Sequence, residues 1–483
     1  MKNFFFLVIF LLVLSGTAIS QNEDPEILFD DAEYFFAMGD FEEATALFVK
    51  LVNIKPENAN FNFRTGMGYL NIPGKETLAI PYLEKATKNI IFKYKQKEYS
   101  ESHAPHHTFF YLGNAYRINN ELEKALESYE KFQDIKDFEK KYNTRMVDIE
   151  VKACERAKII KDSPLKIVKT NIGKPVNSVN SDYSPILSAD ESIIVFMNSQ
   201  RFYEAIMYST KVDGNWTTPI NITPQIGSDG DMIPTSLSQD GKEIFLVKKD
   251  KNSSDIYISK WDGTFWSKAV PLNSNINTRN DETFAAVSMD GKQLFFTSNR
   301  KGTMGGLDIF VSRKPSVGDW GPAENLGPII NTEFDEESPY LSHDGKMLYF
   351  SSKGHFNMGG FDVFYSPINK YGHFEACINI GYPINTTGDN INFFPVNDGK
   401  TGYLSLFNEE TSLGKADIYK IEILSVYSPE TILESRFNKS FLLEILKNDT
   451  SETISILYDK NTDQFKVMNP KQKDYKISIT EFK

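Results

Sequence analysis

The spacing of apolar positions changes twice along the chain. From Pro25 to about Ile160 they recur three and four residues apart, which gathers them on one stripe of an α-helix. From Asp182 to about Ile423 they alternate in short runs broken by turn residues, the pattern of half-buried strands. After Pro429 a shorter set of alternating runs follows, at Phe441 to Leu446, Thr453 to Tyr458, Gln464 to Met468 and Tyr475 to Thr480. The clearest unit is Asp281 to Ser312, DETFAAVSMDGKQLFFTSNRKGTMGGLDIFVS. Asp290-Gly291 between two apolar runs predicts a β-hairpin, because Asp and Gly tolerate the positive φ of a tight turn. The unit recurs from Asp335, and looser copies begin at Asp182, Asp231 and Asp389.

The copies start roughly fifty residues apart, a period that suits propeller blades. Between them lies a second phrase with Trp216, Trp266 and Trp320 ahead of an apolar-Asn segment, read as the outer strand and the crossing to the next blade. Four strands per unit, repeated radially, close a ring and remove most sheet edges. The expectation is a propeller over 165–424 with five blades, or six if residues after 424 supply another. The Ser-x-Asp-Gly-Lys turns at Asp240, Asp290 and Asp344 and the strands opening at Asp255, Asp308, Asp362 and Asp417 resemble the WD40-like PD40 repeats of TolB-type propellers. The first copy departs, with Asp190-Glu191 in place of Asp-Gly. The Asp-rich turns are assigned to turn geometry rather than calcium, which needs several oxygens converging from one short segment. The Met-Gly-Gly loops at Met304 and Met358 precede strands, so they offer no helix N-terminus to an anion and read as places of close backbone approach.

Within the helical region, 24–161, three units carry small residues where paired helices cross and large ones beside them. They are Ala32, Phe35, Ala44, Phe48, Leu51 and Pro56; Gly66, Tyr69, Ala79, Leu83 and Ala86; and Gly113, Tyr116, Ala125, Tyr129 and Phe132. These positions resemble tetratricopeptide repeats, and the resemblance implies a concave surface for a peptide or protein. An amphipathic helix from about Lys140 to Ile160 would cap the stack, because terminal repeats must hide an open apolar face. On that reading the packing positions belong to the core, and Asn62, Arg64, Asn114 and Arg117 would point outward as partner-binding residues. His103, His106 and His107 lie in an insertion read as an exposed loop, without a further ligand spaced for a closed metal site. The tail, 425–483, resembles the end of a carboxypeptidase-regulatory-like β-sandwich in its turn, Phe-x-Val and Tyr-x-Ile-x-Ile strands.

At the start of the chain, Lys2, an apolar core from Phe4 to Leu14 and small residues at Ala18 and Ser20 predict a secretory signal peptide over 1–20. The other reading, an uncleaved anchor, is short of the ~20 residues that span a bilayer. A formal charge of -12 argues against nucleic acid, whose binding needs a basic excess. Cys154 and Cys377, the two cysteines, fall in separate regions and form no redox or zinc spacing.

The order of leader, helical repeats, PD40 propeller and small β domain is similar to a family of exported envelope proteins known from Bacteroidetes, including the PorE-like component of type IX secretion. Members continue into an OmpA-like domain, which no residues here match, so peptidoglycan binding is not carried over. The resemblance implies a non-catalytic scaffold or adaptor of the periplasm or the periplasmic face of the outer membrane, meeting envelope proteins or peptides, with no cofactor. The alternatives are a glycan- or small-ligand-binding propeller and the propeller part of a prolyl-oligopeptidase-like peptidase. The last needs a Gly-x-Ser-x-Gly elbow, which the sequence lacks. Mass analysis of protein from its native cell is expected to give a mature chain beginning at Gln21. A retained Phe4 to Leu14 segment would overturn the export assignment.

Overall fold

The computed structural model describes residues 24–135, 138–250, 253–396, 399–407, 409–424, 441–446, 453–459 and 464–468. The leader and the strand expected at 475–480 lie outside them. The described chain forms two compact units, one of residues 24–116 and 127–135, the other of residues 117–126 and 138 onward.

The first unit is built from successive helices α1 (Pro25–Met38), α2 (Phe41–Ile54), α3 (Ala59–Leu70) and α4 (Ile80–Ala86), followed by most of α5 (Thr108–Ile118) and the second half of α6 (Leu122–Gln133). Asp24, Asp40 and Asn58 cap the first three by accepting from Glu26, Glu43 and Phe61 amides, which satisfies N–H groups the helix leaves open. Gly39, at φ 80°, ends α1 in the left-handed conformation that a side chain would resist. Small residues sit where the helices cross. A Cβ on Gly66 would come 2.5 Å from Leu83 Cγ, and one on Gly113 would come 2.6 Å from Tyr129 Cδ1. Phe29, Phe48, Leu51 and Phe61 fill the space between α1, α2 and α3.

The second unit is a five-bladed propeller. Blades 1 to 4 begin with inner strands Asp182–Leu187, Met232–Leu237, Glu282–Val287 and Glu336–Leu341, and each sheet runs outward in chain order. Blade 5 takes Phe394–Val396, Thr401–Phe407 and Ala416–Ile423 from the end of the propeller and Ile167–Asn171 from before blade 1. Asn171 pairs with Tyr419 and Ile167 with Ile423, so the two ends of the ring are sewn into one sheet. That closure settles the blade count at five. The tail contributes a three-stranded antiparallel sheet, Phe441–Leu446, Thr453–Asp459 and Gln464–Met468.

The outermost strands of blades 2, 3 and 4 are two residues long, which leaves the third strand's edge half uncovered. Asparagine side chains finish the ladder. Asn331 accepts from the Ile309 amide at 2.8 Å and donates to its carbonyl at 2.9 Å, as a neighbouring strand would. Asn385 does the same to Val363, Asn177 to Ile418 and Asn277 to Ile256. The hairpin turns match their sequence reading. Ser238, Ser288 and Ser342 donate to Asp240, Asp290 and Asp344, and the following glycines hold φ between 66° and 69°. In blade 1 Glu191 takes that place at φ 54°, a conformation that is unfavourable for a residue with a side chain.

Asn331→Ala should therefore strip two buried backbone groups of their partners. At about 1–3 kcal/mol for each unsatisfied group, the propeller's urea midpoint should drop well beyond the ~0.5 kcal/mol typical of surface changes. A midpoint within that margin would mean that water replaces the clamp.

Candidate interaction surfaces

The four residues expected to face a partner are placed otherwise. Arg64 is 3 % exposed and Arg117 5 %, so the expectation of outward-facing arginines is corrected. Arg64 Nε pairs with Glu33 Oε1 at 2.6 Å, and its guanidinium lies over Phe36, 3.9 Å from the ring centre. Burial keeps the Glu33 carboxyl above its ordinary value even though Arg64 opposes the shift. Asn62 is buried and donates to the Pro56 and Asn58 carbonyls, and Asn114 accepts from the Tyr129 hydroxyl at 2.8 Å. In the other unit, Arg117 donates to the Thr387 carbonyl and pairs with Glu150 at 2.7 Å.

One reason lies in the insertion between α4 and α5. Its Tyr94 hydroxyl donates to Asn60 Oδ1 at 2.5 Å, Tyr99 stacks on Phe61 at 6.0 Å, and the Ala59 amide donates to the Ser102 carbonyl at 3.0 Å. The segment thus lies on α3, where Ala59 to Gly66 and Gly68 are all buried. Two of the three histidines are not in an exposed loop either, while His103 is half-exposed and pairs with Glu101 at 2.9 Å. His106 is buried with Nε2 3.0 Å from the Phe132 carbonyl, and burial, with His106 beside it, pulls His107 down to about 4.

On the propeller, the inner and third strands start, and the second and fourth end, at one face. At that face the junctions ahead of blades 3 and 4 each carry two adjacent acidic residues, Asp281-Glu282 and Asp335-Glu336, and the junction ahead of blade 5 carries Asp389. The outer one staples neighbouring blades: Asp281 accepts from the Ser254 amide, Asp335 from Leu307 and Asp389 from Phe361. The inner one is buried. Glu336 accepts from the Thr332 amide and hydroxyl and from Ser352, and Glu282 from the equivalent Thr278 and Ser298. Burial pushes the Glu336 carboxyl up to about 7, with Asp308 adding to the shift against the hydrogen bonds. Asp362 accepts from the Met358 amide and Asn379, yet burial takes it up to about 8. The Met-Gly-Gly loops pass close to the next blade, as expected: a Cβ on Gly305 would come 2.5 Å from the Phe334 carbonyl oxygen.

After the short helix α7 (Phe138–Lys141) comes α8 (Thr144–Lys161), which was expected to cap the helical stack and instead belongs to this face. Arg145 pairs with Glu333, Arg156 donates to the His355 carbonyl at 2.9 Å, and Lys161 lies over Tyr382 at 5.3 Å. These contacts cover loops of blades 3 to 5. On the blade 1 side of the same face Val179 and Phe202 stand exposed, Phe202 at 86 %. Midway along the inner strands Ile186, Ser236, Ala286, Tyr340 and Phe394 are all buried, so access stops near Tyr183, Ile233, Thr283, Glu337 and Ile391. Burial pushes the Cys154 thiol up to about 12, and neither cysteine is in a disulfide.

No protein-family model matches the chain, and no curated protein sequence matches it. Solved structures do. TolB from Acinetobacter baumannii is 17% identical with a TM-score of 0.32, over 50% of this chain and 55% of that one, so this chain spans about half the TolB chain. An alpha-L-arabinofuranosidase from Podospora anserina, in complex with cellotriose, is 11% identical with a TM-score of 0.35, over 54% of this chain and 94% of that one. Prolyl oligopeptidase B from Galerina marginata is 12% identical with a TM-score of 0.30, over 58% of this chain and 39% of that one. What they share with it is fold alone. No helix among the described residues is long and apolar enough to cross a membrane.

Arg64→Ala is expected to destabilise the helical unit by about 3 kcal/mol, because a buried carboxylate loses its partner. Replacing Glu33 and Arg64 together by Leu and Met should recover much of that loss. Urea unfolding of the three proteins checks both statements, and an unchanged midpoint for the single variant would contradict the buried pair.

Proposed function

We propose that the protein is a non-catalytic scaffold or adaptor of the cell envelope, exported to the periplasm or the periplasmic face of the outer membrane. The observation that carries this reading is the crossing of paired helices at Gly66 against Leu83 and Gly113 against Tyr129. Such small-against-large crossings are the packing of tetratricopeptide repeats, whose use is contact with other proteins, and here they share a chain with a propeller. The leader pattern at Lys2 and Phe4 to Leu14 supports export.

Because the insertion lies on α3 and α8 covers blades 3 to 5, the partner contact is assigned to surfaces left open, with the Val179 and Phe202 side of the propeller first among them. Membership of a secretion machine of the type IX kind belongs to this reading as its narrowest form. The glycan-binding alternative draws less support, since the inner strands are buried from their midpoints.

Photo-cross-linking in intact cells, with the reactive group at Phe202, tests the assignment. Adducts with a defined envelope protein, lost when the group is moved to Val317 on the opposite face, are expected. Peptide and ester substrates should show only background turnover. Turnover abolished by one Ser→Ala change, or adducts with polysaccharide only, would overturn the scaffold reading.

A further inference from the structure

Blades 3 and 4 are near-copies, yet their loops handle charge differently. In blade 3 the Arg300 guanidinium lies 4.7 Å from the Phe296 ring centre and 5.3 Å from that of Phe310. It donates to the Asn275 carbonyl at 2.9 Å and to that of Ile276, and it pairs with Glu282 at 3.0 Å. Blade 4 has Gly354 at the matching position, where a Cβ would come 2.8 Å from Thr332 Cβ. The next residue fills the slot instead. The His355 ring sits 5.7 Å from Phe350 and 5.3 Å from Phe364, and its Nε2 lies 2.9 Å from the Ile330 carbonyl, the counterpart of Ile276.

An imidazole is shorter than a guanidinium, and the substitution leaves Glu336, among the described residues, with Thr332 and Ser352 as donors in place of a paired arginine. The far end of the same loop holds a second such carboxyl. Among the described residues, Asp362 Oδ2 accepts from the Met358 amide and Asn379, while Oδ1, also buried, accepts from none. In blade 3 the corresponding Asp308 accepts on both oxygens. Between these two carboxyls the loop carries α8. Arg156 donates to the His355 carbonyl at 2.9 Å and to Asn357 Oδ1 at 3.4 Å, with its guanidinium over Phe356 at 5.2 Å. Asn357 spans the loop by donating to the Lys353 and Gly360 carbonyls.

We propose that loop 353–362 is a proton-sensitive latch, which holds the end of α8 through Arg156 while Glu336 and Asp362 are neutral and lets go when they ionise. Glu336 faces Asp308, of like charge, and the Cys377 thiol; the neighbouring Asp335 is already paired with Lys353. Asp362 faces Asp389, which opposes its ionisation, and Arg117, which favours it. His355 faces Arg156, and burial holds its ring neutral, so it supplies no compensating charge. Both carboxyls sit above the ordinary carboxylate range, near 7 and 8. A raised carboxyl favours the closed form fully at acid pH and loses that contribution as pH rises through its folded value. The latch therefore weakens as pH climbs above the ordinary carboxylate range, and its contribution is lost by the time pH has passed about 7 for Glu336 and about 8 for Asp362.

Hydrogen exchange on the full chain at about pH 6 and about pH 9, corrected for intrinsic rates, tests this. Peptides covering 353–362 and 150–161 should lose at least about tenfold in protection at the higher pH, while the Arg300-anchored loop 299–308 should not. The double variant Glu336→Gln with Asp362→Asn should keep its protection at both pH values. Equal protection at the two pH values in the parent protein would overturn the latch, as would an unchanged loss in the double variant. Should that variant fail to fold, the contrast between loops 353–362 and 299–308 in the parent protein decides alone.

Discussion

Every backbone group buried at a blade edge must find a partner, and the rest of the propeller follows from how it does so. A two-residue outer strand cannot supply the ladder, so an Asn side chain supplies it. That Asn is in turn held by another, Asn325 for Asn331 and Asn379 for Asn385, and the second Asn donates to a buried Asp. Asp308 and Asp362 then collect amides from the Met-Gly-Gly loops, whose glycines let the next blade approach. The chain of donors thus runs from strand edge to loop to neighbouring blade. A ring built this way buries carboxylates as a by-product, and burial makes their protonation part of the fold's stability.

The helical segments show the same economy of surface. A face of α3 that a repeat stack could offer to a partner is occupied by the insertion, with Tyr94 on Asn60 and Tyr99 on Phe61. Residues 117–126 and α8 cluster with the propeller rather than with the other helices. Arginines make most of that attachment, landing on Glu333, on the His355 carbonyl and on the Thr387 carbonyl. A guanidinium suits such a seam, because it offers several fixed donors and still stacks on rings such as Phe334 and Phe356.

Much of the fold was legible because it rests on local chemistry. Asp-Gly turns, alternating runs and Gly-against-Tyr spacings each state their geometry within a few residues, and the structure places hairpins and helix crossings where they stood. What escaped depends on contacts distant in sequence. Arg117 reads as a surface arginine on any helix wheel, but its partners are Glu150 and Thr387. The strand that completes blade 5 lies about 250 residues from its partners, with only the apolar run around Ile167 to mark it. The histidine insertion was expected to be an exposed loop, yet the buried rings of Phe63 and Phe132 pack against His107 and His106.

The contrast between blades 3 and 4 was also in the sequence, as Asn-Arg-Lys-Gly at 299–302 against Lys-Gly-His-Phe at 353–356. It carried no meaning until the carboxylate beneath each loop was placed. Glu282 and Glu336 occupy the same position with the same threonine and serine donors, so the loop is what differs between them. Replacing a permanent cation by a neutral ring turns an ion pair into a buried acid held by neutral donors, which in water-poor surroundings is easier to keep protonated than charged. Because Arg156 of α8 donates to the His355 carbonyl, the buried acid and the attached helix meet at one loop. Repeats that are free to diverge at one position can in this way place a chemical difference at a single point of an otherwise uniform ring.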